Sequence, residues 1–187
     1  MVEQKALAGS LVFAGAAQFL VFGLLVSESL YPGYSVSQNY ISDLGVGPTA
    51  WIFDPSIVVL GVFIAAAGYI MLRGGAGRLF GVSVMVTGLG AAGVGVFSER
   101  FGAVHGVFSL VTFVFAGVSA LASYRVLEGP LRYASVVLGI AGLLALALYV
   151  PGFYAGLGRG GMERMIVYPP LVWALGWGGY VMGRKTE

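Results

Sequence analysis

The chain has 187 residues, of which 58% are apolar and only 10% charged, and its mean hydropathy is +0.92. A soluble domain carries about a quarter charged residues, so a water-soluble enzyme is excluded, and a net charge of +2 spread between apolar runs offers no basic patch for nucleic acid. The absence of Cys removes disulfides, thiol nucleophiles and Cys-ligated metals.

Cutting the chain at its charges leaves apolar runs that each approach the roughly 20 residues needed to cross a hydrocarbon core at about 1.5 Å per residue. The predicted fold is all-α: one domain over 1–187, an integral bundle of six transmembrane helices at about 6–27, 53–72, 79–98, 102–124, 133–155 and 164–183. The first run follows Met1–Lys5 and imitates a signal peptide. It is too long for that, and Ser27-Glu28-Ser29 is a poor cleavage site, so it reads as the first helix.

The first connection, Tyr31-Pro-Gly-Tyr-Ser35-Val-Ser-Gln-Asn39-Tyr40-Ile-Ser42-Asp43-Leu-Gly45, is the richest in polar groups. Pro32-Gly33 is turn chemistry. Ser35 or Ser37 stands where it would cap a short interfacial or re-entrant helix ending at Gly45. Tyr31, Tyr34 and Tyr40 suit a membrane interface. Two compatible readings follow: the short helix plugs the bundle, or Tyr34, Asn39, Ser42 and Asp43 point inward to line a substrate pocket. Asp54-Pro55 opens the second span, and Asp at the cap before Pro is a structural helix start.

Arg73-Gly-Gly-Ala-Gly-Arg78 makes a tight turn between spans two and three. After the third span comes Glu99-Arg100-Phe-Gly-Ala-Val-His105, with the single histidine of the chain. Ser109 and Thr112 follow His105 on the same helical face. An ionisable group in a membrane segment marks function by default and needs a partner; Glu99 and Asp43 are the candidates. The structural alternative is a neutral imidazole bonded to a backbone carbonyl. A zinc site lacks paired-His spacing and a bis-His haem lacks its second histidine, so no metal and no cofactor is expected. Glu128-Gly-Pro130 turns the chain into span five.

The last connection leads into Gly160-Gly-Met-Glu163-Arg164-Met-Ile-Val-Tyr168. Glu163 and Arg164 read either as a pair locking two helix ends or as part of a ligand site. In the second case Arg164, with Arg100, would clamp an anionic headgroup, and Tyr168 would line the cavity. Gly88, Gly90, Gly93 and Gly95, and Gly176, Gly178 and Gly179, allow close helix approach, within the bundle or in a homo-oligomer. The hairpin of spans three and four weakly resembles that of five and six, with Gly88 matched to Gly142 and Glu99-Arg100 to Glu163-Arg164. A repeat of this kind would bring both Glu-Arg dipeptides to one surface.

Lys5, Arg73, Arg78, Arg125, Arg132, Arg184 and Lys185 fall on the side of the termini, and only Arg100, Arg159 and Arg164 on the other. The positive-inside rule therefore places both termini of a multi-pass cell-membrane protein in the cytoplasm and the polar connections outside.

Tyr31-Pro-Gly-Tyr-Ser35, Asn39-x-Ile41-Ser-Asp-Leu-Gly45, Asp54, His105 and Gly160-x-x-Glu163-Arg164 together resemble the prokaryotic six-span family filed as domain of unknown function 998. The resemblance covers essentially the whole chain. It implies a membrane bundle with the first outer loop as signature and implies no reaction; Asp54 stands where the family usually has Asn. Two functions fit the residues. In one, a lipid or lipid-linked headgroup is hydrolysed or transferred, with His105 as base oriented by Asp43 or Glu99, Ser42 or Ser109 as nucleophile, and Arg100 and Arg164 neutralising phosphate. In the other, the protein is a non-catalytic binder of lipids or small molecules, a transporter or a scaffold. Membrane lipids are the expected partners, and span interiors without acids or bases argue against ion-coupled transport.

Overall fold

A computed structural model describes residues 2–183. Arg184 and Lys185, two of the cations in the topology argument, lie outside the described residues. Six long helices are joined by connections at two ends. Helix α1 starts as an α-helix at Val2–Gln18, widens into a π-helical stretch at Phe19–Val26 and finishes as a regular turn at Ser27–Leu30. The others are α2 (Ala50–Arg73), α3 (Arg78–Val96), α4 (Ala103–Ala122), α5 (Pro130–Tyr149) and α6 (Gly158–Gly183). Five of them, α1 to α5, are long and apolar enough to cross a membrane. The chain is a helical bundle of the membrane type. Helix α6 has the length, at 26 residues, but Arg159, Glu163 and Arg164 dilute its first turns.

Each helix packs on its neighbour in sequence, and α6 returns to lie against α1, so the six form a ring. The tightest seam joins α2 and α3. A Cβ on Gly61 would collide with the backbone nitrogen of Ala92, and one on Gly88 with that of Ala65. Both glycines are there because the two backbones touch. Gly142 instead packs α5 against Ile166 and Pro170 of α6, so the glycines matched between the two hairpins play different parts. The loosest wall is α4 with α5: 22% of each span is buried, against 56% for α3.

The core follows this closure. Phe19, Leu24, Phe53, Phe80, Val84, Trp173 and Trp177 fill the space among α1, α2, α3 and α6. Trp173 donates its indole N–H to the Ser123 hydroxyl at 3.0 Å, satisfying a buried donor. A smaller cluster of Ala145, Leu146, Met162 and Ile166 joins α5 to α6. At the end holding the short turns, Arg132 lies 4.0 Å over the Tyr124 ring and donates to the Tyr124 carbonyl.

Two local expectations differ from the structure. Helix α2 begins at Ala50 after Thr49, so Asp54 lies inside it rather than capping it, and Pro55 sits within the helix. The short helix of the first connection is a single 3₁₀ turn at Ser42–Gly45. It is preceded by a turn in which the Asn39 side chain, not a serine hydroxyl, accepts the Ser35 N–H.

Candidate functional site

The long connections gather at one end, and α6 holds them there. Gly158 has φ +75°, and a Cβ on it would strike the Ser37 carbonyl; one on Gly160 would strike that of Asn39. With glycine at both places the first connection lies flat on the start of α6, and Gly160 N–H bonds to Ser37 O at 3.0 Å.

Arg164, 4% exposed, is the hub of this junction. Its Nη1 donates to the carbonyls of Val36 (2.9 Å) and Gly160 (3.0 Å), and more weakly to Asn39 (3.4 Å). Its Nη2 pairs with Glu28 Oε1 at 2.5 Å and donates to the Tyr34 hydroxyl at 2.7 Å. Burial pushes the Tyr34 phenol up to about 12, against the pull of Arg164. The phenol therefore keeps its proton and donates it to the Tyr40 carbonyl at 2.8 Å. Glu163 does not pair with Arg164. Its Oε2 accepts the Ile41 N–H at 2.5 Å, which pins the loop from the other side of the helix. Asp43 Oδ2 accepts from Asn39 Nδ2 and from Tyr40 N–H, both at 2.9 Å, and closes the loop on itself.

Beneath this lid lie two spaces that share part of their walls. An apolar cavity of about 110 Å³ runs down the inside of the ring, past Phe53, Val84, Ala116 and Trp173. A cleft of about 250 Å³ opens between α4 and α5, lined by Tyr40, Glu99, Leu110, Leu146, Tyr149 and Val150. Both spaces share Ser42, His105, Ser109, Phe113 and Glu163 as walls. Four of these five shared residues are polar, so the polar groups concentrate where the hole and the cleft adjoin.

His105 donates Nδ1–H to the Phe97 carbonyl at 2.8 Å, the backbone partner rather than a carboxylate. This fixes the tautomer and leaves Nε2 as the free ring nitrogen. Among the described residues no carboxylate makes an ion pair with it, and neither Ser42 nor Ser109 is hydrogen-bonded to it. Glu99, beside Asp43 and the Ser42 hydroxyl, is held above the usual carboxyl range by burial and then by the Asp43 charge, with His105 and Ser42 acting against the shift. Glu99 Oε2 and Asp54 Oδ1 are buried without a hydrogen-bond partner.

The residues singled out from the sequence thus divide. Ser42, Glu99, His105 and Glu163 meet at the cleft, with Asp43 behind Glu99. Tyr34, Asn39 and Arg164 belong to the loop junction instead. Arg100 is exposed and donates to the Val46 carbonyl at 3.2 Å. Tyr168, half-exposed, stands one turn along α6 beside the Arg164–Glu28 pair. Sequence reasoning missed Glu28 as the partner of Arg164, although an acid at the end of a long apolar run is itself a signal. It also missed Tyr149, although a tyrosine at the end of an apolar run is itself an interface signal.

A ring of apolar helices with a polar, loop-covered mouth defines a polytopic membrane protein. The family model described as "Protein of unknown function (DUF998)" matches residues 13–179, and the chain belongs to that family. No curated protein and no solved structure matches it.

Proposed function

We propose that the chain is a six-span cell-membrane protein, with both termini cytoplasmic and the loop-covered end outside, that holds a lipid or lipid-like small molecule in the ring. The inclusion of α6 is supported by the placement of its charges: Glu163 and Arg164 are buried against the loop, so neither meets hydrocarbon. The orientation rests on the distribution of Lys and Arg. The observation that carries the binding reading is the shared wall: an apolar hole and a cleft of mixed lining share His105, Ser42, Ser109 and Glu163. Ligand sites combine a largely apolar lining with a few convergent polar groups in this way.

Headgroup hydrolysis or transfer has less support. A hydroxyl nucleophile needs contact with its base, and among the described residues neither Ser42 nor Ser109 is hydrogen-bonded to His105. A phosphate clamp needs accessible guanidinium donors; both terminal nitrogens of Arg164 are engaged with Glu28, Tyr34 and loop carbonyls, and its one unpartnered donor, Nε, is buried.

The test is to fill the hole. Ala116→Trp, on α4 and lining the apolar cavity, should fold and should lose the lipid that wild-type protein carries through purification, read by native mass spectrometry. Equal lipid retention by the variant would refute the reading. A headgroup product released by wild type and lost in His105→Gln would establish the transfer reading in its place.

A further inference from the structure

Building on the cavity reading, we infer that the ligand carries its polar end as an ammonium group: the site takes a cationic amphiphile, amine outward in the cleft and alkyl chain inward. Three independent features point there.

The first is charge. No Lys or Arg lines either cavity among the described residues, whereas Glu163 lines both and Glu99 lines the cleft. The nearby arginines are committed elsewhere. Arg164 is bound to Glu28 and the loop, Arg100 to Val46 O, and Arg159 donates to Gln38 O at 2.5 Å. An anionic head would therefore meet carboxylates with no Lys or Arg in the lining to offset them, whereas an ammonium would supply the missing partner.

The second is unmet bonding capacity. Glu163 is 7% exposed, uses Oε2 for the Ile41 N–H, and makes no ion pair among the described residues. Its second oxygen belongs to a side chain that lines the cavity boundary. Glu99 Oε2 is buried and unpartnered. An alkylammonium has three N–H donors and no acceptor, which suits two such oxygens and the His105 Nε2.

The third is aromatic. Tyr40 and Tyr149 line the same cleft, edge to face with centroids 6.3 Å apart, and Tyr154 stands 5.9 Å from Tyr149. Ring faces attract organic cations within about 6 Å of the centroid. The Arg159 guanidinium already lies 4.8 Å over the Tyr40 ring. Below the carboxylates the lining turns apolar, with Phe53, Val84 and Ala116 to receive a chain.

The experiment compares three equal-length probes on protein in neutral maltoside detergent: hexylammonium, hexanol and hexanoate, each titrated while the melting temperature is followed. Hexylammonium should stabilise wild type at concentrations where the other two do not. Glu163→Gln keeps an acceptor for Ile41 N–H and should raise the half-saturating hexylammonium concentration at least tenfold. Glu99→Gln, read in the same way, covers the case in which Glu163→Gln fails to fold. Hexanoate acting as well as hexylammonium, or glutamine variants that respond like wild type, would overturn the proposal. If hexanol and hexylammonium act alike and Ala116→Trp blocks both, the cavity stands and the ammonium preference falls. If Ala116→Trp blocks neither, the cavity reading falls with it. Native mass spectra from phosphatidylglycerol nanodiscs containing a long-chain alkylamine separate the sources of the amine: retained long-chain amine identifies a membrane-borne amphiphile, and hexylammonium binding without it a free one.

Discussion

Arg164→Met keeps the length and apolar stem of the side chain and deletes all of its donors. Glu28 would then lose its ion-pair partner, and the carbonyls of Val36 and Gly160 would lose the N–H groups now 2.9 and 3.0 Å away. Removing one member of a buried pair costs about 3–5 kcal/mol, because the other charge stays uncompensated. The Glu28 side chain keeps 17% exposure and can regain some water, which sets its share near the lower end, about 3 kcal/mol. The orphaned carbonyls add roughly 1 kcal/mol. At about 2–4 °C per kcal/mol for a chain of this size, the total of about 4 kcal/mol corresponds to a fall of roughly 8–16 °C in melting temperature. The assay is thermal unfolding in detergent, with limited chymotrypsin digestion to follow release of the loop at Tyr31, Tyr34 and Tyr40. Adding Glu28→Gln to Arg164→Met should restore part of the loss, since no buried charge then lacks a partner. A melting temperature within about 2–4 °C of wild type, with unchanged proteolysis, would refute the assignment of Arg164 as the lock of this junction.

Two further predictions concern other parts of the bundle. Glu99 binds its proton more tightly in the folded state, through burial and the Asp43 charge, with His105 opposing. Its contribution to stability should therefore be complete below the ordinary carboxyl value of about 4.3 and be lost as pH rises through the raised folded-state value. The stability difference between wild type and Glu99→Gln, measured by thermal unfolding across that range, should move against wild type as pH increases, and a flat difference would contradict it. At the α2–α3 seam, Gly61→Ala should cost about 1–3 kcal/mol through overpacking. Gly106→Ala, in α4 with open space around it, should be neutral or stabilising by about 0.5–1 kcal/mol; equal effects from the two would argue against backbone contact at Gly61.

The bundle was legible because hydrocarbon excludes charge: apolar runs between Lys, Arg, Asp and Glu fall where α1 to α5 lie. The helix starts were not. Asp54 and Glu163 both sit inside helices that begin several residues earlier, at Ala50 and Gly158. A polar residue buried against a loop looks, along the chain, like a residue outside the membrane. The grouping of Ser42, Glu99, His105 and Glu163 at one end followed from counting spans. The role of Arg164 followed only in part: its partner Glu28 is a side chain that could have been found, but its acceptors Val36 O and Asn39 O are backbone atoms, 128 and 125 positions away. Every residue has such a carbonyl, so the side-chain pattern could not single these out. His105 shows the same limit, its partner being the Phe97 carbonyl.

The π-helical stretch in α1 bears on this junction from a distance. Phe19 folds over Gly23, where a Cβ would collide with its ring, and the Ser27 hydroxyl reaches back five residues to Phe22 O at 2.9 Å. Gln18 leans out of the helix to donate to Ser56 O at 2.8 Å. In an α-helix each residue advances the azimuth by about 100°, so the number of residues between Gln18 and Glu28 sets the compass bearing of the Glu28 carboxylate. Shortening that interval by one would swing it by roughly that angle, off the Arg164 guanidinium. The widened turns thus work as a phase adjuster, letting one helix grip α2 with its first half and still aim Glu28 at α6 with its last turn.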